Sequence, residues 1–187
     1  MQTIPLAEGG YILLLKNFVT PTQSATCFNT LLAETTWLQK PAPFGHTQPR
    51  LTAAQGDPHI NYRYSGTTNP ASPWTQTLLQ LKDRIQSVKG VYNFCLLNRY
   101  RSGADSVAWH ADNEPGMADT IASLSLGATR TFRIRHNTTR QTHSFHLVDG
   151  TLLIMGGTMQ RFWQHAVPKT AQPVSERINL TFRWLNP

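Results

Sequence analysis

From Val91 onward the chain is written in short runs. Apolar or alternating segments occupy 91–100, 107–110, 120–126, 129–136, 142–148, 151–155, 162–166 and 176–184, with turn residues between them. Alternation sends successive side chains to opposite faces of a strand. Eight such segments with no helical pattern between them restrict this half to a β-sandwich or barrel, because a half-buried strand needs a second apolar face to cover it.

The first half has a different texture. Tyr11 to Leu15 (YILLL) reads as a strand. Thr20-Pro21 supplies an N-cap and a proline at the first helical position. It predicts a helix to about Thr36, with Cys27, Phe28, Leu31 and Leu32 at helical spacing. Pro41 to Pro49 is a loop broken by proline and glycine, with Phe44 at its tip. An aromatic there is either tucked into the core or a wedge for a base stack. INYRY (60–64) alternates and puts Tyr62 and Tyr64 on one face. Ser72-Pro73 opens a second helix, Trp74 to about Val88, whose buried stripe is Trp74, Leu78, Leu81, Ile85 and Val88. The expected class is α+β, one domain over 1–187, with helices in about 1–90 and a jelly-roll core in about 91–187.

Lys and Arg number 17 against 10 acids, a formal charge of +7. That excess favours an anionic partner, but the basic residues are spread along the chain, and solubility alone would also account for it. The early apolar run is too short to cross a bilayer and has no basic stretch before it. Cys27 and Cys95 are the only cysteines, too few for a disulfide framework or a zinc motif. The expectation is a soluble, unsecreted, intracellular protein (cytoplasmic if bacterial), a monomer with no membrane partner.

Two features carry chemistry. At the end of the 107–110 run stands His110-Ala111-Asp112. Residues two apart on a strand project from one face, roughly 6–7 Å apart, so an imidazole and a carboxylate here can converge on one ion. They need one further nitrogen. Two histidines and a carboxylate with open positions left over suit non-haem Fe(II) oxygenase chemistry. The plain alternative is a surface strand with two polar residues in water. The second feature is RINLTFR (177–183), where Ile178, Leu180 and Phe182 alternate with Arg177, Asn179, Thr181 and Arg183. Its polar side either faces water or lines a cavity where two guanidinium forks grip a dicarboxylate. Asn98 and Tyr100, two apart on one strand, are placed to face the same cavity.

H-x-D at 110–112, a histidine 55 residues on at 165, and R-x-N-x-x-x-R twelve residues later together resemble the AlkB family of Fe(II)- and 2-oxoglutarate-dependent nucleic-acid dealkylases. The likeness runs from about Phe18 to Trp184. It includes PRLTAAQGD (49–57), YRYSG (62–66), NFCLLNRY (93–100), HADNE (110–114) and ASLSLGATRTF (122–132).

The resemblance implies a double-stranded β-helix with a nucleotide-recognition lid. It implies Fe(II) on His110, Asp112 and His165; His146 is the rival third ligand, and His165 is preferred because its distance to Arg177 fits the family. It implies 2-oxoglutarate held by Asn98, Tyr100, Arg177, Asn179 and Arg183, with Arg177 on the distal carboxylate and Arg183 nearer the metal. It implies a flipped base against Tyr64, Tyr62 and the His110 ring, Glu114 accepting from an exocyclic amine, and Phe44 filling the gap in the stack. The remaining histidines of 135–146 are expected at the surface. The implied reaction is demethylation of N1-methyladenine and N3-methylcytosine, in DNA ahead of RNA, releasing succinate, CO2 and formaldehyde. Three alternatives stay open: the same chemistry on RNA or a protein side chain, a non-catalytic binding module, and a zinc hydrolase, which would not need the paired arginines.

Overall fold

Strand pairing at the centre of the molecule organises everything else. The structure, a computed structural model, describes residues 1–41, 46–64 and 67–186, with backbone alone at 61–64 and 67–70. In chain order the strands are β1 (Gln2–Pro5), β2 (Gly10–Leu15), β3 (Leu51–Gly56), β4 (Asn61–Tyr64), β5 (Thr67–Pro70), β6 (Phe94–Tyr100), β7 (Val107–His110), β8 (Ile121–Gly127), β9 (Arg130–His136), β10 (Thr142–Leu147), β11 (Leu152–Gly157), β12 (Trp163–Val167) and β13 (Arg177–Arg183). Helices α1 (Pro21–Glu34) and α2 (Gln76–Gln86) belong to the first half, and the single turn α3 (Met159–Phe162) leads into β12.

The larger sheet runs β1-β2-β11-β8-β13-β6-β3 and the smaller β10-β9-β12-β7, while β4 and β5 form a separate hairpin. All eight expected runs of the second half are strands, four in each of two facing sheets. This is the jelly roll. Tyr100, Ile121, Leu153 and Met155 of the larger sheet pack against Phe132, Ile134, Leu147, Trp163 and Val167 of the smaller. The opposite face of the larger sheet, with Leu97, Leu124, Ile154, Ile178, Leu180 and Phe182, is covered by Leu31 of α1 and Leu78, Leu81 and Ile85 of α2. Among the described residues no helix is long and apolar enough to cross a membrane.

Local signals explain most boundaries. Thr20 accepts from Gln23 N, and the Gln23 side chain answers the Thr20 N–H, a complete capping box ahead of Pro21. The second helix begins later than expected, after Thr75 rather than at Trp74. Ser72 is held beside β3 by reciprocal bonds, its N–H to Ala54 O and its carbonyl from Gly56 N, and Gln55 Oε1 accepts from Thr75 N at 2.8 Å. β1 and β3 are strands the sequence patterns do not announce. Of the histidines of 135–146 expected at the surface, His136 is instead buried on β9, edge-on to Trp163 at 5.0 Å.

The turn from β6 to β7 places the site's first ligand. It is tied by Asp105, whose Oδ2 accepts from Arg101 N at 2.9 Å and Nε at 2.8 Å, and whose Oδ1 accepts from Nη2 at 2.9 Å. Burial pushes the Asp105 carboxyl up, but its bonds to Arg101 and the nearby Arg130 charge outweigh it, and the net shift is downward. A depressed carboxylate contributes stability above its unfolded pKa of about 3.9 and loses it as pH falls through the folded value. Asp105→Asn is therefore expected to cost about 1–2 kcal/mol at pH 7, discounting for the exposure of Arg101. In urea unfolding the gap to the wild type should narrow at pH 3. A gap of equal size at both pH values would rule out the carboxylate as its source.

Candidate active site

The two imidazoles meet because their strands are neighbours. β7 pairs with β12 antiparallel, with His110 directly opposite His165. A cross-strand pair shares one face of the sheet, and here it is the face turned to the larger sheet. The rings lie 4.2 Å apart between centroids. Asp112 follows two residues beyond the end of β7. Its Oδ1 is 3.8 Å from His110 Nε2 and its Oδ2 is 3.8 Å from His165 Nε2. One donor atom from each of the three lies within 4.8 Å of the others.

The protonation pattern fits a metal. His110 Nδ1 stands 2.8 Å from Ala108 O; a carbonyl only accepts, so Nδ1 donates there and Nε2 is the nitrogen turned toward Asp112. Burial, with the neighbouring His110, pushes the His165 pKa down to about 3 despite Asp112, so its ring is neutral at physiological pH. Burial alone would raise the Asp112 pKa, but Arg183 Nη2 at 2.7 Å from Oδ2, together with the two imidazoles, holds the carboxyl well below the usual carboxylate range. The neutral His165 ring and the ionised Asp112 carboxylate need no deprotonation to bind a divalent ion. Bonds of about 2.1 Å put neighbouring donors about 3 Å apart, so small side-chain rotations close the triad.

The inner face of the larger sheet brings the polar row alongside. Arg177 pairs with Tyr100 and Asn179 with Asn98 across β13 and β6, while β8 places Ser125 beside Asn179 on the other flank. Arg177 is 1% exposed. Its Nη2 donates to Ser125 Oγ at 2.9 Å and its guanidinium lies 5.1 Å from the Tyr100 ring centre. Its Nε and Nη1 are buried with no hydrogen-bond partner, and no carboxylate pairs with it among the described residues. A buried cation with two unbonded donors has the chemistry to hold an anion. Asn179 Nδ2 donates to Ser123 Oγ and to Leu124 O. Arg183 sits six residues further, about 20 Å along the strand, and meets Asp112 rather than the Arg177 end.

The structure thus gathers His110, Asp112, His165, Asn98, Tyr100, Arg177, Asn179 and Arg183 between the two sheets. Glu114, half-buried, follows two residues after Asp112. His146 is exposed on β10, its ring 3.4 Å from Thr131 Oγ1, and takes no part in the triad. Tyr62 and Tyr64 are on β4, but their side chains lie outside the described residues, as does Phe44 altogether. Arg50, Ser123, Ser125 and Gln160 were not anticipated. Arg50 Nε donates to Asn98 Oδ1 at 2.7 Å from a loop 48 residues earlier. The serines had a signal, since ASLSLG alternates small polar with apolar residues; Arg50 had none.

The family model of the 2OG-Fe(II) oxygenase superfamily matches residues 11–183. The bovine alpha-ketoglutarate-dependent dioxygenase alkB homolog 3 is 38% identical over 94% of this chain and 66% of its own length. The mouse DNA oxidative demethylase ALKBH2 is 36% identical over 80% of this chain and 68% of its own. The chain thus spans about two thirds of these relatives. Among solved structures, OsALKBH1 aligns with a TM-score of 0.64 at 22% identity, covering 92% of this chain and 97% of that one, which supports the fold. With its seven-stranded and four-stranded sheets face to face and the His-Asp-His cluster it carries, the chain belongs to the 2OG-Fe(II) oxygenase superfamily and, within it, to the AlkB family.

Proposed function

We propose that the protein is a DNA-repair demethylase acting on N1-methyladenine and N3-methylcytosine. The observation that carries this reading is the pairing of a His-Asp-His cluster with a buried arginine on the facing sheet whose Nε and Nη1 have no hydrogen-bond partner. His110, Asp112 and His165 hold Fe(II). Arg177, with Tyr100 beside it, takes the distal carboxylate of 2-oxoglutarate, and Asn98 and Asn179 line the diacid's length. Arg183 keeps Asp112 ionised. The bound iron supplies oxidation by dioxygen, in which 2-oxoglutarate becomes succinate and CO2 and the N-methyl carbon leaves as formaldehyde.

The chain's own residues contribute ligation, placement and dryness. None is needed as a nucleophile. His110 is 22% exposed while Asp112 is 2% exposed, so the base, out of its stack, enters on the His110 side. Glu114, near that side, accepts from the exocyclic amine that adenine and cytosine share. Tyr64 stacks on the base with the His110 ring on the opposite side, Tyr62 is a neighbouring pocket residue, and Phe44 fills the vacated stack; these three assignments rest on the family resemblance. The ALKBH2 relative's printed activity, DNA oxidative demethylase, favours DNA, and the +7 charge suits a polyanion.

The test is 2-oxoglutarate turnover on N1-methyladenine and N3-methylcytosine in single-stranded DNA, duplex DNA and RNA, side by side. Formaldehyde release is expected in step with succinate, greater on DNA than on RNA, with binding that weakens steeply as salt rises. Turnover confined to RNA, or to a methylated peptide, would replace the substrate reading and leave the chemistry standing. No turnover on any arm would remove both.

A further inference from the structure

Asp112 stands outside the sheet ladder that fixes the two imidazoles. β7 ends at His110, and residues 111–114 belong to no helix or strand. Its carboxylate is steadied by Arg183. Its backbone is steadied by a residue from elsewhere: the Asp112 N–H donates to Gln160 Oε1 at 2.9 Å, a buried bond spanning 48 residues. Gln160 is 3% exposed.

The amide's orientation follows from chemistry. Asp112 N is a donor, so the carbonyl oxygen of Gln160 must face it. Nε2 is then left with the thioether of Met155 at 3.3 Å, a weak acceptor for a good donor. A buried amide that gives its better contact to one backbone N–H is specified for that contact rather than for packing.

Gln160 is itself on a rigid base. It sits on α3, held from both ends: the Thr158 hydroxyl donates to Glu8 O, and Asn137 donates from its backbone to Phe162 O at 2.9 Å and from its side chain to Arg161 O at 3.1 Å. A side chain at residue 10 would meet the backbone of Met159 at 3.2 Å, so Gly10 lets β2 close against this turn. His165 follows Gln160 by five residues on the same stretch. The bond therefore ties the carboxylate ligand to the segment that carries an imidazole ligand.

We infer that Gln160 is a positioning residue for the metal centre, setting the distance of Asp112 from the two histidines through its backbone. This rests on the triad being the metal site. Loss of a partner one shell out from a metal typically weakens binding by 10- to 100-fold.

The test uses the full chain and Mn(II), titrated by electron paramagnetic resonance into wild type, Gln160→Leu and Gln160→Glu. Leucine removes the acceptor at similar bulk; glutamate keeps one at the same reach. The Mn(II) dissociation constant is expected to rise about 10- to 100-fold in Gln160→Leu and to return most of the way in Gln160→Glu. In the metal-free wild type, the Asp112 amide is expected to exchange its hydrogen more slowly than that of exposed Asn113. That measurement decides the matter even where Gln160→Leu does not fold. A leucine variant that melts lower yet binds Mn(II) like the wild type gives Gln160 a structural role only and overturns the inference, as do equal exchange rates at 112 and 113. A wild type that binds no Mn(II) overturns the metal reading itself.

Discussion

Replacing His110 with alanine is expected to abolish succinate and formaldehyde formation while the fold survives. The loss should exceed the roughly 10- to 100-fold typical of an outer-shell partner, because the proposed centre draws one of its three protein donors from His110. Folding survives because the ring is 22% exposed and, among the described residues, its hydrogen bond goes to Ala108 O, two residues away. Thermal unfolding of the metal-free variant should match the wild type, while the rise in melting temperature on adding Mn(II) should vanish. Asp112 is the poorer choice for the same experiment. Alanine there takes away the carboxylate against which the buried Arg183 rests, and breaking such a pair costs about 3–5 kcal/mol. Full turnover in His110→Ala would remove this cluster from the chemistry.

Arg177→Met should produce effects of opposite sign on stability and function. The guanidinium is buried beside Ser125 and Tyr100 with no carboxylate to offset its desolvation, and burial lowers its pKa. Exchanging a poorly compensated buried charge for an apolar chain of similar length is neutral or stabilising by about 1–4 kcal/mol. For a chain of this size each kcal/mol moves the melting temperature by about 2–4 °C. The ligand-free variant should melt at or above the wild type. Its affinity for 2-oxoglutarate should collapse, since one charge-assisted hydrogen bond contributes about 1.5–3 kcal/mol and a bidentate pair more. A variant that melts several degrees lower and still binds the diacid would make Arg177 a structural cation.

Sequence patterns reached different depths in different parts of the molecule. The eight runs after Val91 became strands because period-two alternation reports directly on a sheet with one covered face. β3 escaped notice because LTAAQG has little intrinsic strand preference; it forms by pairing along its whole length with β6. The H-x-D pair was legible as local spacing. Its partner at 165 was singled out by resemblance, since the register that sets His110 opposite His165 belongs to the topology. Arg177 and Arg183 were legible as one polar face, but not that one end would meet Asp112 and the other Ser125. Arg50 and Gln160 make their contacts across 48 residues each, and no periodicity records a single long-range hydrogen bond. His136, expected outside, is inside because β9 alternates through it and Trp163 shelters its ring.

β13 is buried at all seven positions, with Ile178, Leu180 and Phe182 in the helix-covered interior and the alternate residues turned toward the smaller sheet. Sliding such a strand by one position against β6 and β8 would exchange the two sets of side chains. Guanidinium groups would enter the oily layer while Ile178, Leu180 and Phe182 turned toward the diacid. No misaligned isomer can therefore keep a sound interior and lose only its activity. A titration with 2-oxoglutarate doubles as a census of correctly assembled molecules in any preparation.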